Sequence, residues 1–136
     1  LKLNVAAKGP KALRLAGRYG DAWNGFFPGR DLTPKQSSDI IRQHSDMVSE
    51  FAVEAGRDPT EVGHTFCFGW TSDGLFRTIE TFYDTIGRYT EAGITDFCFI
   101  YAYQIDSWKD QTITNEDLLR KIALEAIPEL RKKIGE

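Results

Sequence analysis

Five consecutive residues, Ala6-Ala7-Lys8-Gly9-Pro10, carry the strongest case for binding chemistry in this chain. A helix that starts at a proline leaves the other N–H groups of its first turn without intrahelical acceptors, and its aligned peptide dipoles put partial positive charge there. A glycine just before the proline lets an anion reach the backbone with no Cβ in the way, so the corner suits a phosphate; Lys8 adds a full charge. A plain strand-to-helix turn uses the same residues, and the corner alone leaves both readings open. Further along, Trp23-Asn24, Trp70 and Tyr101 fall where three successive strands are expected to end. Trp23, Trp70 and Tyr101 can form a wall around an apolar substrate, or they can be a layer of core aromatics. The Asn24 amide, following a buried strand, needs a hydrogen-bond partner in either case.

Other chemistries find no support. There is no GxSxG nucleophile elbow, no GxGxxG and no GxxxxGK[ST]. The two cysteines, Cys67 and Cys98, each sit in a Phe-Cys-Phe tripeptide and are expected to be buried, reduced thiols. Without CxxC or Cys/His spacing, no metal site is expected. Asp21, Asp73, Asp96 and Asp106 lie near strand starts or in turns, where solvation or capping accounts for them. His44 is on the apolar stripe of a helix and His64 opens a strand, so both read as structural.

These residues need elements to position them, and the hydrophobic period supplies the elements. "LKLNVAA" alternates as a strand, and Gly9-Pro10 ends it. "KALRLAGRYG" places Ala12, Leu13, Ala16 and Tyr19 at helical intervals up to Gly20. "DAWNGFF" is a second strand, closed by the turn "PGRD". Thr33 before Pro34 starts a long helix with Ile40, Ile41, His44, Met47, Val48, Phe51 and Ala55 on its stripe, stopping at Gly56. "HTFCFGW" is a third strand, and Phe76, Ile79, Phe82, Tyr83, Ile86 and Tyr89 mark a helix ending at Gly93. "ITDFCFIYAY" is a fourth strand. After a long connection over residues 104–114, Asn115 caps a last helix with Leu118, Leu119, Ile122, Ala126, Ile127 and Leu130 on its stripe. Regular βα alternation predicts parallel strands joined by right-handed crossovers, with the two Phe-Cys-Phe strands as neighbours.

The 136 residues match the size of one domain or part of one, and 41% hydrophobic with 27% charged residues is a globular balance. Net charge is −3 with the basic residues scattered, which argues against a nucleic-acid surface. No apolar run approaches the roughly 20 residues of a membrane span. The opening "LKLNVAAKG" has neither the basic end nor the apolar core of a secretion signal, so a cytoplasmic location is expected. The first residue is Leu1 rather than Met, as in a processed product or a piece of a longer chain.

Three segments in order, the strand with its Gly-Pro corner, "ALRLAGRYGDAWN" and "IGRYTEAGITDFCF", resemble the second half of the luciferase-like monooxygenase family. Those are flavin- or deazaflavin-dependent (β/α)8 barrels. The resemblance covers nearly the whole chain and implies an α/β fold of TIM-barrel type. Residues 1–136 would be a single partial domain, because a whole barrel needs about 250 residues and four βα units are half of one. It implies a flavin-type cofactor, flavin mononucleotide (FMN) or the deazaflavin coenzyme F420, with its phosphate end at Ala6, Ala7, Lys8, Gly9 and Pro10. The small Ala6 and Ala7 would leave room for the ribityl chain. Relatives often have more glycine at this corner, and Lys8 departs from that. A small organic substrate would lie near Trp23, Asn24, Trp70 and Tyr101. The family's catalytic histidine belongs to the absent first half, so no catalytic residue is expected here, His44 and His64 included. A half barrel exposes strand edges and the inner sheet face, which predicts pairing with a missing N-terminal half or with a second copy. The alternative is a non-catalytic α/β fragment or a weak phosphate-binding module.

Overall fold

A computed structural model describes residues 1–69, 71, 73–99 and 115–135. Its four strands, β1 (Asn4–Ala6), β2 (Ala22–Gly25), β3 (Gly63–Phe68) and β4 (Asp96–Phe99), form one sheet in the order β1-β2-β3-β4. Every neighbouring pair is parallel. Helices α1 (Pro10–Tyr19), α2 (Pro34–Glu54) and α3 (Ile79–Glu91) make the crossovers. The expected βα alternation is therefore present, and the Phe-Cys-Phe strands are neighbours in register, Phe66 beside Phe97 and Cys67 beside Cys98. Among the described residues no helix is long and apolar enough to cross a membrane.

Local chemistry sets the helix limits. Thr33 and Gln36 form a capping box at the start of α2, the Thr33 hydroxyl accepting from Gln36 N at 3.2 Å and the Gln36 amide accepting from Thr33 N at 2.9 Å. Gly56 and Gly93, with φ of +74° and +94°, take the left-handed conformation that ends α2 and α3. Helix α3 starts later than its apolar pattern implies, because Thr78 caps it by accepting from Thr81 N at 3.1 Å. Phe76 therefore lies before the helix and packs edge-on to Phe99. Asn115 caps the last helix as expected, accepting from Leu118 N at 3.1 Å. That helix runs through α4 (Glu116–Lys121), one widened π-type turn (Ile122–Ala126) and α5 (Ile127–Lys133). Pro128 has no N–H for the usual bond one turn back, and the wide turn absorbs the mismatch.

The sheet has two unlike faces. Trp23, His64, Phe66 and Phe68 point to the helices and are buried, packed with Leu13 and Ala16 of α1, Ile41, Val48 and Ala52 of α2, and Phe82 and Tyr89 of α3. Gly17 lets α1 and α2 touch, since a Cβ there would lie 2.6 Å from Val48 O. Tyr19, expected on the apolar stripe of α1, is instead exposed under the Arg18 guanidinium. By strand alternation, Ala6, Asn24, Thr65, Cys67, Asp96 and Cys98 stand on the opposite face, which no described element covers. This corrects the expectation of buried thiols: Cys67 is half-buried and Cys98 exposed. Phenylalanines that point inward send the cysteine between them outward.

Candidate functional site

The carboxyl ends of the strands carry the candidate site. At the end of β1 the Ala7 side chain is buried, and both of its backbone groups are used: its N–H donates to Asn24 O at 3.2 Å, and its carbonyl accepts from Trp23 Nε1 at 2.9 Å. With Ala7 pinned, the chain turns outward into three exposed residues, Lys8, Gly9 and Pro10. Gly9 is the N-cap of α1, extended at φ −86° and ψ 158°, with no side-chain cap and no acidic residue in the first turn. Its carbonyl accepts from Leu13 N at 2.9 Å, while the N–H groups of Lys11 and Ala12 have no intrahelical acceptor. A Cβ built on Gly9 meets nothing within 4 Å, so the space over this helix end is open.

Lys8 Nζ sits 4.6 Å from the centroid of the Phe27 ring. Its charge also reaches His44, whose pKa is lowered by burial first and by Lys8 second. His44 and His64 both stand edge-on to Trp23, at ring separations of 6.4 and 5.5 Å. Burial lowers the His64 pKa as well, and its Nδ1 is 2.7 Å from Ser45 Oγ. Both histidines are thus packing groups on the helix side.

Beside the corner, Phe27 and residues of two loops line a shallow, open pocket of about 280 Å³ that also touches Arg30, Asp31, Ser37 and Thr71. The loop from β3 to α3 is held by a buried carboxylate: Asp73 accepts from Arg88 Nη2 at 2.9 Å and from the Tyr89 hydroxyl at 3.0 Å. Asp73 was expected to be explained by solvation or capping, but its side chain has no exposed surface. Its partners lie on α3, beyond the reach of local sequence patterns. Burial, with the Asp73 charge beside it, raises the Tyr89 pKa. Asp21 bridges backbone, accepting from Leu3 N at 2.6 Å, and Asp96 is exposed.

The expected site residues divide accordingly. Ala6, Lys8, Gly9 and Pro10 come together in the open, with Ala7 buried beneath them. Trp23 has no exposed surface and so offers no wall to a ligand; its role here is the bond that braces the corner. Asn24 stands beside Ala6 in the sheet register, and its Oδ1 is buried with no hydrogen-bond partner among the described residues. Trp70, Tyr101, Asp106 and the connection over residues 104–114 lie outside the described residues. Phe27 was not singled out from the sequence, although its place in the turn after β2, on the same end of the sheet as the corner, is a usable signal.

No family model matches the chain, and no curated protein matches it in sequence. Among solved structures it is similar to an F420-dependent secondary alcohol dehydrogenase in complex with an F420-acetone adduct, at 20% identity and a TM-score of 0.55, over 72% of this chain and 42% of that one. It is also similar to a coenzyme F420 dependent tetrahydromethanopterin reductase from Methanopyrus kandleri, at 16% identity and a TM-score of 0.63, over 95% of this chain and 51% of that one. The chain spans about half the length of these proteins. Likeness at such identities is likeness of fold. The chain is a mixed α/β protein whose parallel four-stranded sheet corresponds to part of a TIM-barrel-like fold.

Proposed function

We propose that residues 1–136 are the carboxyl-terminal half of an F420-dependent oxidoreductase barrel of the luciferase-like type, and that the Ala6 to Pro10 corner holds the phosphate end of the cofactor. One observation carries this reading: an uncapped helix N-terminus with open space over its glycine, at the carboxyl end of a parallel sheet. Both solved structures described above are F420-dependent, which favours the deazaflavin over FMN.

The residues present fit such a ligand. The free N–H groups of Lys11 and Ala12 and the ammonium of Lys8 would bind the phosphate. Ala6 leaves room along the open sheet face, and the orphaned Asn24 Oδ1 would accept a hydrogen bond from a ligand donor. The Trp23–Ala7 bond would hold the corner in place, with Ala7 acting through position rather than contact. When bound, F420 supplies a carbon that takes up or gives a hydride, and the chain binds and orients it. A small organic substrate would lie on the open face beside Asn24. That face would be covered either by the remaining barrel strands or by a second copy of the chain.

Titration with F420 and separately with FMN, followed by cofactor fluorescence, tests the reading. F420 should bind, and Lys8→Ala should weaken it about tenfold or more, as expected for loss of a charge-assisted contact. A folded protein that leaves F420 fluorescence unchanged, or a Lys8→Ala variant of unchanged affinity, overturns it in favour of an inert fragment.

A further inference from the structure

We propose that Cys67 and Cys98 form a dithiol site for a soft, thiophilic centre that takes two sulfur ligands, of which trivalent arsenic is the type. The two residues are direct partners in the register of β3 and β4. Neighbouring strands lie about 4.8 Å apart, and partnered side chains in parallel strands leave the sheet on one face. Here that face is the open one, with Cys67 half-buried and Cys98 exposed. The Cys98 thiol also acts on Cys67, adding to the upward shift that burial gives the Cys67 pKa. Neither sulfur is held in a disulfide.

The ligand set decides what can bind. Structural zinc takes four ligands, and among the described residues no cluster of three or more His, Cys, Asp or Glu side chains could hold a metal. Two sulfurs alone favour a soft centre content with few ligands. With an organic arsenoxide the step balances without redox change: two S–H bonds break, two S–As bonds form, and the arsenoxide oxygen leaves with both protons as water. The two thiols bring those protons themselves, so no redox co-reactant is needed.

The site is independent of the corner, which uses neither sulfur. It lies on the same open face, with Cys67 two residues beyond Thr65, the register partner of Asn24.

Phenylarsine oxide is the probe, with bound arsenic counted by intact-protein mass spectrometry and affinity read by titration. The wild-type chain should take up a single phenylarsenic group with loss of water, and ethanedithiol should remove it where mercaptoethanol does not. Cys67→Ser and Cys98→Ser should each bind about 100-fold more weakly or worse, because the second sulfur no longer acts intramolecularly. Cys98 is exposed, so its serine variant keeps the fold, and thermal unfolding checks both variants. A wild type that binds no arsenical, or single-serine variants that bind as tightly as the wild type, overturns the proposal.

Discussion

Trp23 shows how one residue can serve a site without touching its ligand. Its indole donates to Ala7 O from inside the core, and a phenylalanine in its place would leave that carbonyl buried without a partner. Trp23→Phe should therefore cost about 1–3 kcal/mol in urea unfolding. The sequence leaves Trp23 open between a substrate wall and a core aromatic, because β2 has only four residues and no alternation to orient it; a one-residue slip of register would send the indole to the other face. The placing of the thiols is legible in the sequence, since the phenylalanines flanking each of them set opposite faces. Burial raises the Cys67 thiol to about 11. Alkylation of Cys67 by iodoacetamide should thus stay slow at pH 8 and speed up toward pH 10, measured by peptide mass spectrometry. The histidine pKa values are shifted the other way, downward in the fold, so the unfolded chain binds protons first as pH falls. Stability should be full above about pH 6.5, the unfolded histidine value, and decline below it; His64→Gln should flatten part of that decline in denaturant melts at pH 5 to 7.

At the scale of elements, α1 matters most because its first turn is the candidate site, and its seat on α2 fixes where that turn points. A methyl group at Gly17 would press on Val48 O at 2.6 Å and Phe51 Cβ at 2.8 Å, prying the helices apart. Gly17→Ala should cost about 1–3 kcal/mol by overpacking. Gly9→Ala meets open space and an extended backbone, and should cost only about 0.5–1 kcal/mol as a poorer N-cap. Chemical denaturation of the two variants side by side checks the contrast, and equal losses would show that the space over Gly9 is not free. The limits of α1 and α2 were legible because Pro10, Thr33 and Gly56 act through local geometry. The buried Asp73 was not, since its carboxylate is satisfied only when α3 folds back on the loop from β3. Asp73→Ala leaves the Arg88 guanidinium with Asp84 and Thr85 but takes the acceptor from the buried Tyr89 hydroxyl, and should cost about 1–3 kcal/mol, read as a fall in the melting temperature.

For the whole molecule, the order β1-β2-β3-β4 puts a three-residue strand at one edge of the sheet, and among the described residues no element covers one of its faces. Alternation of period made that architecture readable from the sequence, because each βα unit declares itself locally. What the pattern could not settle is how the strands' inner face is covered, which depends on surfaces distant in sequence or outside the chain. Sedimentation velocity should find the protein larger than its 15.4 kDa monomer if a second copy covers that face. A well-folded 15.4 kDa monomer would count against the proposed half barrel, whose open edges and face call for pairing.

The Trp23–Ala7 bond has one more consequence. An indole proton held inside the core can trade with deuterium only when the core opens, and that opening also releases Ala7 from its carbonyl bond. The deuterium uptake of this single proton therefore clocks the lifetime of the corner. In a nitrogen-15 spectrum its indole signal reports, without any ligand, how often the candidate site comes apart.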